Sequence, residues 1–132
     1  MDIEKIKQKL LDLDKKKKIK FIVLFGSYAA GRQGPFSDID IAVYYDGDLE
    51  ERFRFRLNAL GELSEKVDLQ IFQNLPVAVR KEILAGKVLF SKDYDFTFNV
   101  FMETIKEYDL FEKYLNEYLA AVEKRLGIAD GY

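Results

Sequence analysis

The segment from Asp38 to Val43 constrains the fold most strongly, because branched apolar residues alternate there with acidic or small ones. Ile39, Ile41 and Val43 share one parity, which is the period of a β-strand with one buried face. Asp38 and Asp40 share the other parity, so both carboxylates leave the same face of the strand. Two unpaired like charges beside a buried sheet repel each other and reduce stability. The segment therefore predicts a strand that carries a polar site.

The composition excludes several other kinds of chemistry. The chain has 132 residues, a formal net charge of −2 and 48% hydrophobic residues. These values indicate one folded domain and argue against a globally basic nucleic-acid coat or an acidic disordered tail. The sequence contains no cysteine and no histidine. Disulfides, thiolate or histidine zinc sites and Ser–His–Asp triads are excluded, so carboxylates, lysine, tyrosine or hydroxyl groups must carry any catalysis.

Nothing in the sequence predicts a membrane protein. The longest apolar run, Phe21 to Phe25, is far shorter than the roughly 18 residues that span a bilayer. The N-terminal residues lack the basic-then-apolar order of a secretory signal. We therefore expect no membrane association and a cytoplasmic location.

Hydrophobic periodicity predicts alternating helices and strands, which is typical of α/β or α+β layers. The first helix begins near Ile3 and is predicted to end in a basic turn at 15–18, where lysines complement the helix dipole. Strands are predicted at 19–25, 39–43, 67–72 and 87–90, and further helices at 27–33, 49–63, 76–84 and 94–126. In the helix at 49–63, one apolar face is expected to pack on the sheet: Leu49, Phe53, Leu57, Leu60 and Leu63.

The last predicted helix, 94–126, carries one main apolar stripe: Phe101, Ile105, Tyr108, Leu115, Leu119, Val122 and Leu126. Gly127 is expected to end this helix. Phe111, Tyr114 and Tyr118 lie off the stripe and are aromatic anchors of the kind found at protein interfaces. An extra contribution to the core and a homodimer contact are equally open interpretations of these three rings.

A joint pattern points to phosphate and metal chemistry. Gly26-Ser27 follows the first predicted strand, ten residues separate it from Asp38-Ile39-Asp40, and Asp68 lies inside a later apolar strand. The Cα atoms of Asp38 and Asp40 would lie about 6.6 Å apart, a spacing that suits carboxylates around divalent cations. A glycine at a strand-to-helix junction lets a phosphate approach the backbone, and the Ser27 hydroxyl could bond a phosphate oxygen. Taken alone, Gly26-Ser27 would indicate only an ordinary helix cap. Taken alone, Asp68 would indicate only a solvent-facing strand residue.

Three segments carry a resemblance to a known family: residues 25–32 (FGSYAAGR), 37–43 (SDIDIAV) and 67–69 (VDL). They resemble the nucleotidyltransferase superfamily that includes DNA polymerase beta and kanamycin nucleotidyltransferase. More narrowly, the chain is similar to the minimal nucleotidyltransferases, and nearest to the MntA-type antitoxins of HepT–MntA modules. The motifs cover roughly residues 19–72. The resemblance implies a small mixed β-sheet flanked by helices, with a long C-terminal helix.

The resemblance also implies roles for individual residues. Asp38 and Asp40 would ligate Mg²⁺, and two ions are expected. Asp68 would be a third carboxylate that binds the metal near the attacking hydroxyl or acts as the base. Nucleotide-binding roles fall to Gly26, Ser27 and Arg32. Many relatives have an arginine at the position of Ala30, and Arg32 is the candidate to supply that charge here.

The function that the resemblance implies is Mg²⁺-dependent transfer of AMP from ATP to a tyrosine hydroxyl of a HEPN-domain (HepT-type) toxin, which would make the chain an antitoxin. Residues 1–132 would form a single domain, with a catalytic core at about 19–92 and a C-terminal helix at about 94–126. Two alternatives stay open: nucleotidyl transfer to a small molecule such as an antibiotic, and a nucleotide-binding antitoxin that acts by complex formation alone. No direct binding of nucleic acid is expected.

Overall fold

A computed structural model describes residues 2–35 and 37–127. The helices are α1 (Ile3–Leu13), α2 (Gly26–Ala29), α3 (Leu49–Glu62), α4 (Val77–Ile83) and α5 (Tyr94–Leu126). The strands are β1 (Ile19–Phe25), β2 (Ile39–Tyr45), β3 (Val67–Ile71) and β4 (Lys87–Ser91), and a 3-10 turn at Phe72–Asn74 follows β3. The expected order of elements is confirmed.

The four strands form one mixed sheet in the order β3-β2-β1-β4. β1 is antiparallel to both of its neighbours, whereas β2 and β3 run parallel. The central position of β1 explains its nearly continuous apolar sequence, because both faces of this strand are covered. The mixed sheet with flanking helices confirms the α/β fold class expected from the sequence.

Each face of the sheet has its own apolar cluster. On one face, α1 and α3 contribute Ile6, Leu10, Phe55 and Ala59. On the other face, α4 and the first half of α5 cover Phe21, whose ring lies 5.2 Å from the ring of Phe72. Alternate residues of β2 face opposite sides of the sheet. Ile39, Ile41 and Val43 therefore point toward α1 and α3, and Ala42 points toward α4 and α5.

Two expected helix ends are wrong. The lysine run 15–18 lies after α1, which stops at Leu13. The reason is Asp14, whose carboxylate accepts the backbone N–H groups of Lys18 (3.0 Å) and Ile19 (2.8 Å) and so holds the chain in a turn. The helix expected at 27–33 is a single turn that begins at Gly26, so Ser27 lies inside it and caps nothing.

The expected buried face of α3 is also wrong over its first nine residues. Three residues assigned to the core are exposed: Leu49, Phe53 and Leu57. Phe55 and Ala59 are buried instead. The ring of Phe55 stacks on Tyr45 with centroids 4.6 Å apart, and Arg56 Nε donates to the carbonyl of Leu69 on the sheet edge at 2.8 Å. These two contacts fix the rotation of the helix, and periodicity alone does not contain them.

The two halves of α5 have different surroundings. Phe96, Val100 and Phe101 pack against the sheet, and Thr97 and Thr104 are buried. From Asp109 to Gly127, every residue is exposed except Val122, which is half-buried. The predicted apolar stripe is therefore covered only as far as Tyr108, and Leu115, Leu119 and Leu126 face solvent. In the described ranges, no helix combines the length and the apolarity that crossing a bilayer requires.

Candidate active site

Three chain segments meet at one end of the sheet. Asp40 on β2 is the register partner of Asp68 on the parallel strand β3. Asp40 is also the register partner of Phe25, the last residue of β1. Gly26 follows directly and begins α2. The topology therefore brings together two of the predicted carboxylates and the predicted glycine turn, although Gly26 and Asp68 are 42 residues apart in sequence.

Asp68 is exposed and Asp40 is half-buried. Gln70, two residues after Asp68 on the same face of β3, donates its Nε2 hydrogen to Asp68 Oδ1 at 3.0 Å. This bond occupies one carboxylate oxygen. Asp68 is thus both a solvent-facing strand residue and a member of the site, so the two interpretations of it are compatible.

The pKa of Asp40 is raised above the ordinary value of an aspartate. Burial is the largest cause, and the negative charges of Asp68 and Asp38 add to it. Asp38 lies one residue before β2, is exposed, and acts on Asp40 through this repulsion. The negative charges of this cluster therefore destabilise one another, and a bound cation would remove that repulsion.

Gly26 fits this place because it has no side chain. Its φ is +72°, in the left-handed region that favours glycine, and a Cβ there would lie 2.1 Å from Asp40 Oδ2. The junction of β1 and α2 thus lies directly against the Asp40 carboxylate. Ser27 is half-buried in the single turn of α2 and is not among the residues that line the adjacent cleft.

A cleft of ≈ 540 Å³ opens beside the carboxylates. Asp40, Asp68 and Gln70 form one side, and Arg32 supplies a cation. The other side comes from α4 and the turns around it: Leu75, Val79, Glu82, Ala85 and Gly86. The volume lies within the range of small-ligand sites. A wall that is apolar apart from Glu82, opposite a charged one, suits a ligand with apolar and charged parts.

The donor set at this cleft fits a hard divalent cation, because carboxylate oxygens are the ligands that Mg²⁺ prefers. Asp40 and Asp68 stand as register neighbours. Within residues 2–35 and 37–127, however, no group of three acidic side chains is positioned so that it could hold a metal ion. Asp38 does not line the cleft, so its participation would require its side chain to turn inward. The metal roles of these three carboxylates stay predictions.

Two polar residues of this site, Gln70 and Glu82, are not among those predicted from the sequence. Gln70 has the same parity as Asp68 in the strand, and this alternation was a usable signal. Glu82 had no such signal, because only the packing of α4 brings it to the cleft.

Comparison with known proteins agrees with this geometry. Residues 4–95 match the family described as Polymerase beta, Nucleotidyltransferase. A candidate protein adenylyltransferase of Methanocaldococcus jannaschii is 36% identical over 75 residues, which cover 56% of this chain and 57% of that relative. The match thus spans little more than half of the relative's length.

Two solved structures share the fold over most of the chain. One is a chain in the crystal structure of a toxin–antitoxin with AMP-PNP, with 28% identity and a TM-score of 0.72, covering 92% of this chain and 98% of that chain. The other comes from the toxin–antitoxin MntA-HepT, with 25% identity and a TM-score of 0.64, covering 90% of this chain and 95% of that chain. The family match spans more than half of the sequence and includes the strands that carry the carboxylates. The chain therefore belongs to the polymerase beta nucleotidyltransferase family.

Proposed function

We propose that this chain transfers AMP from ATP to a hydroxyl group of a partner protein. The observation that carries the proposal is the pairing of Asp40 with Asp68 across two strands, directly against the glycine turn at Gly26. In the proposed reaction the acceptor oxygen forms a bond to the α-phosphorus. The bond from that phosphorus to the bridging oxygen breaks, and pyrophosphate leaves with the bonding electrons.

Mg²⁺ is part of this proposal. Asp40 and Asp38 would hold it together with phosphate oxygens, and Asp68 would serve the metal nearer the acceptor. When bound, the ions lower the pKa of the attacking hydroxyl and neutralise charge on the departing pyrophosphate. The repulsion that raises the pKa of Asp40 supports a cation at this place. Because Gln70 engages Asp68 Oδ1, the other oxygen of that carboxylate is left to bind the metal or accept the acceptor's proton.

The polyphosphate is proposed to lie at the β1–α2 turn. Gly26 lines the cleft next to Asp40, so its backbone would face a phosphate there, and the Ser27 hydroxyl would bond a phosphate oxygen. Arg32 lines the same cleft and would offset the charge of the phosphates. The apolar side chains Leu75 and Val79 would face the nucleoside or the acceptor ring.

The acceptor is proposed to be a tyrosine of a HEPN-type toxin, and the chain would act as its antitoxin. Two similarities support this assignment: the relative named for protein adenylylation, and the structural neighbours solved as toxin–antitoxin complexes. Asp68 is exposed at the mouth of the cleft, so a side chain from another protein can reach it. We further propose that the chain is one domain, with its catalytic core at about 19–92 and α5 appended to it.

The test is a transfer assay with α-labelled ATP, Mg²⁺ and the product of the neighbouring gene. Wild-type protein is expected to label the partner on tyrosine. Asp40→Asn and Asp68→Asn should each lose at least about 100-fold in rate, because losing a metal ligand costs more than the roughly 10–100-fold typical of losing a residue that only orients one. Asp46→Asn, at the opposite end of β2, removes the same charge outside the site and should keep the wild-type rate. Transfer by Asp40→Asn at the wild-type rate would contradict the proposal.

The same assay separates the alternatives. Label on a small molecule with no need for the partner would favour an antibiotic-type transferase. Neutralisation of the toxin by an Asp38/Asp40 double variant, without label on the partner, would favour an antitoxin that acts by binding alone.

A further inference from the structure

We propose that the distal half of α5, residues 109–126, pairs antiparallel with the same segment of a second copy of this chain. This inference goes beyond nucleotidyl transfer, because the segment lies outside the cleft. Its apolar side chains are exposed to an unusual degree: Phe111 is 41% exposed, Tyr114 60%, Leu115 40%, Tyr118 63% and Leu119 46%. A contiguous exposed apolar surface of this kind marks an interaction site.

The spacing of the helix residues identifies the kind of contact. Positions 97, 101, 104, 108, 111, 115, 118 and 122 follow one another at intervals of four and three, which is the seam of a coiled coil. Along the first half of α5 this seam packs against the body, where Thr97 and Thr104 are buried. Along the second half the same seam consists of Phe111, Leu115, Tyr118 and Val122. A seam of this type is completed by another helix.

The charges of this segment favour a second copy in the antiparallel direction. Residues 109–117 contain three acidic side chains and one basic one: Asp109, Glu112, Glu117 and Lys113. Residues 118–126 contain two basic side chains and one acidic one: Lys124, Arg125 and Glu123. Most of these charges lie on the side of the helix away from the seam, but Glu112 borders the seam and Arg125 continues it. An antiparallel pair brings Arg125 of each helix near Glu112 of the other, whereas a parallel pair would place Arg125 against Arg125. The segment is therefore complementary to itself.

One register satisfies the seam and the charges together. It places Phe111 against Val122 of the second copy and Leu115 against Tyr118, and it brings Arg125 near Glu112. Every seam residue from 111 to 122 then meets an apolar partner. The paired segment of 18 residues is about 27 Å long. Because the bodies lie at opposite ends of this pair, both clefts stay accessible to an acceptor protein.

The first experiment measures the mass of the full chain alone by sedimentation or light scattering, from low to several hundred micromolar. A monomer–dimer equilibrium is expected. Leu115→Glu and Tyr118→Glu should shift it at least about 100-fold toward monomer, which is the size of a lost interface anchor. Leu57→Glu, on the exposed stripe of α3, changes a similar apolar residue elsewhere and should dimerise normally. A chain that is monomeric at every concentration would overturn the inference.

The second experiment maps direction and register. The sequence has no cysteine, so introduced thiols are the only ones present. A mixture of Phe111→Cys and Val122→Cys chains should form mixed disulfide dimers under mild oxidation, identified by mass. Each variant alone should cross-link poorly. Efficient cross-linking of each variant with itself would indicate a parallel pair and contradict the proposed arrangement.

Discussion

At the scale of single residues, the site depends on how closely a backbone approaches a carboxylate. Gly26 and Asp40 are 14 positions apart in sequence, yet a methyl group on the first would overlap an oxygen of the second. The alternation along β2 predicted the face from which the Asp40 side chain leaves, whereas Asp38 lies one residue before the strand and does not line the cleft. The contact of Gly26 with Asp40 could not be predicted, because it depends on the order of strands in the sheet. The bond from Gln70 to Asp68 lies within β3, where alternation already places both side chains on one face.

Gly26→Ala is expected to destabilise the protein and abolish transfer, because the new Cβ must displace Asp40 Oδ2. Gly31→Ala is the matched control. Gly31 has the same φ of +72°, but a Cβ there meets nothing within 4 Å. Gly31→Ala should lower the free energy of unfolding only by the strain of the left-handed conformation, about 1–2 kcal/mol. Transfer should be retained. Denaturant unfolding and the transfer assay measure both, and equal losses in the two variants would contradict the clash.

Asp40→Asn is expected to raise the free energy of unfolding at pH 7, measured without metal, by roughly 0.5–1 kcal/mol for a partly solvated charge. Since the folded protein raises the pKa of Asp40, the native state binds this proton more tightly than the unfolded chain does. The stability of the wild type therefore falls as pH rises from the ordinary aspartate pKa through the raised one, and Asp40→Asn removes that fall. Asp14→Asn should instead destabilise, because the Asp14 carboxylate accepts two backbone N–H groups. Destabilisation by Asp40→Asn at pH 7 would contradict the repulsion.

Gln70→Ala is expected to slow transfer about tenfold, the size of one hydrogen bond to a charged group, with little change in the binding of a non-hydrolysable ATP analogue. Gln70 acts through Asp68 as a positioning residue, so the variant should lower the rate of transfer and not the affinity for the nucleotide. Gln8→Ala removes a geometrically equal bond, from Nε2 to Asp12 Oδ1 at 3.0 Å, on the surface of α1 and should leave the rate unchanged. Equal rates for Gln70→Ala and wild type would remove Gln70 from the mechanism.

At the scale of elements, periodicity located the helices and strands, but it did not determine what each one packs against. The predicted bounds of β1 and α5 agree with the structure, because each is a long, regular pattern. The apolar face of α3 was assigned wrongly, since Arg56 and Phe55 fix the rotation of that helix through contacts with distant strands. The helix at 27–33 was too long for a similar reason, because Gly31 returns to positive φ and ends α2.

A two-bond ion pair joins α4 to α5, beside the apolar contacts between them. Arg80 donates from both terminal nitrogens to Glu107, with each distance 3.0 Å, and this bond lowers the pKa of Glu107. A double-mutant cycle of Arg80→Ala and Glu107→Ala should give a coupling of about 0.5–1 kcal/mol at pH 7. The coupling should vanish as pH falls through the lowered pKa and protonates Glu107.

The matched pair for this cycle is Arg54 with Glu50, which lie one turn apart on exposed α3. Their coupling should be only about 0.3–0.5 kcal/mol. Equal couplings for the two pairs would show that the α4–α5 bridge adds nothing beyond an ordinary surface contact.

At the scale of the whole molecule, the body and the distal half of α5 are separable. Every described residue after Tyr108 is exposed or, at Val122, half-buried, so little of the core depends on this segment. The sequence predicted one long helix with one apolar stripe. It could not show where the stripe leaves the body, because that point depends on the width of the sheet beneath it.

Removing residues 110–132 is expected to change the free energy of unfolding of the dilute protein by less than about 1 kcal/mol while abolishing self-association. Removing residues 96–132 should instead prevent cooperative folding, because Phe96, Val100 and Phe101 are lost from the core. Thermal unfolding followed by circular dichroism distinguishes the two truncations. Loss of cooperative unfolding in the shorter deletion would show that the core does depend on the distal half of α5.

The sheet order has a consequence for synthesis on the ribosome. β1, β2 and β3 are complete once residue 71 has been made, but the second edge of β1 waits for β4 at residues 87–91. During that interval the most apolar strand of the nascent chain presents an open edge, which is the type of surface that other chains and chaperones recognise. Slow translation through residues 72–86 would lengthen this exposure, so the yield of correctly folded protein should depend on the speed at which that stretch is read.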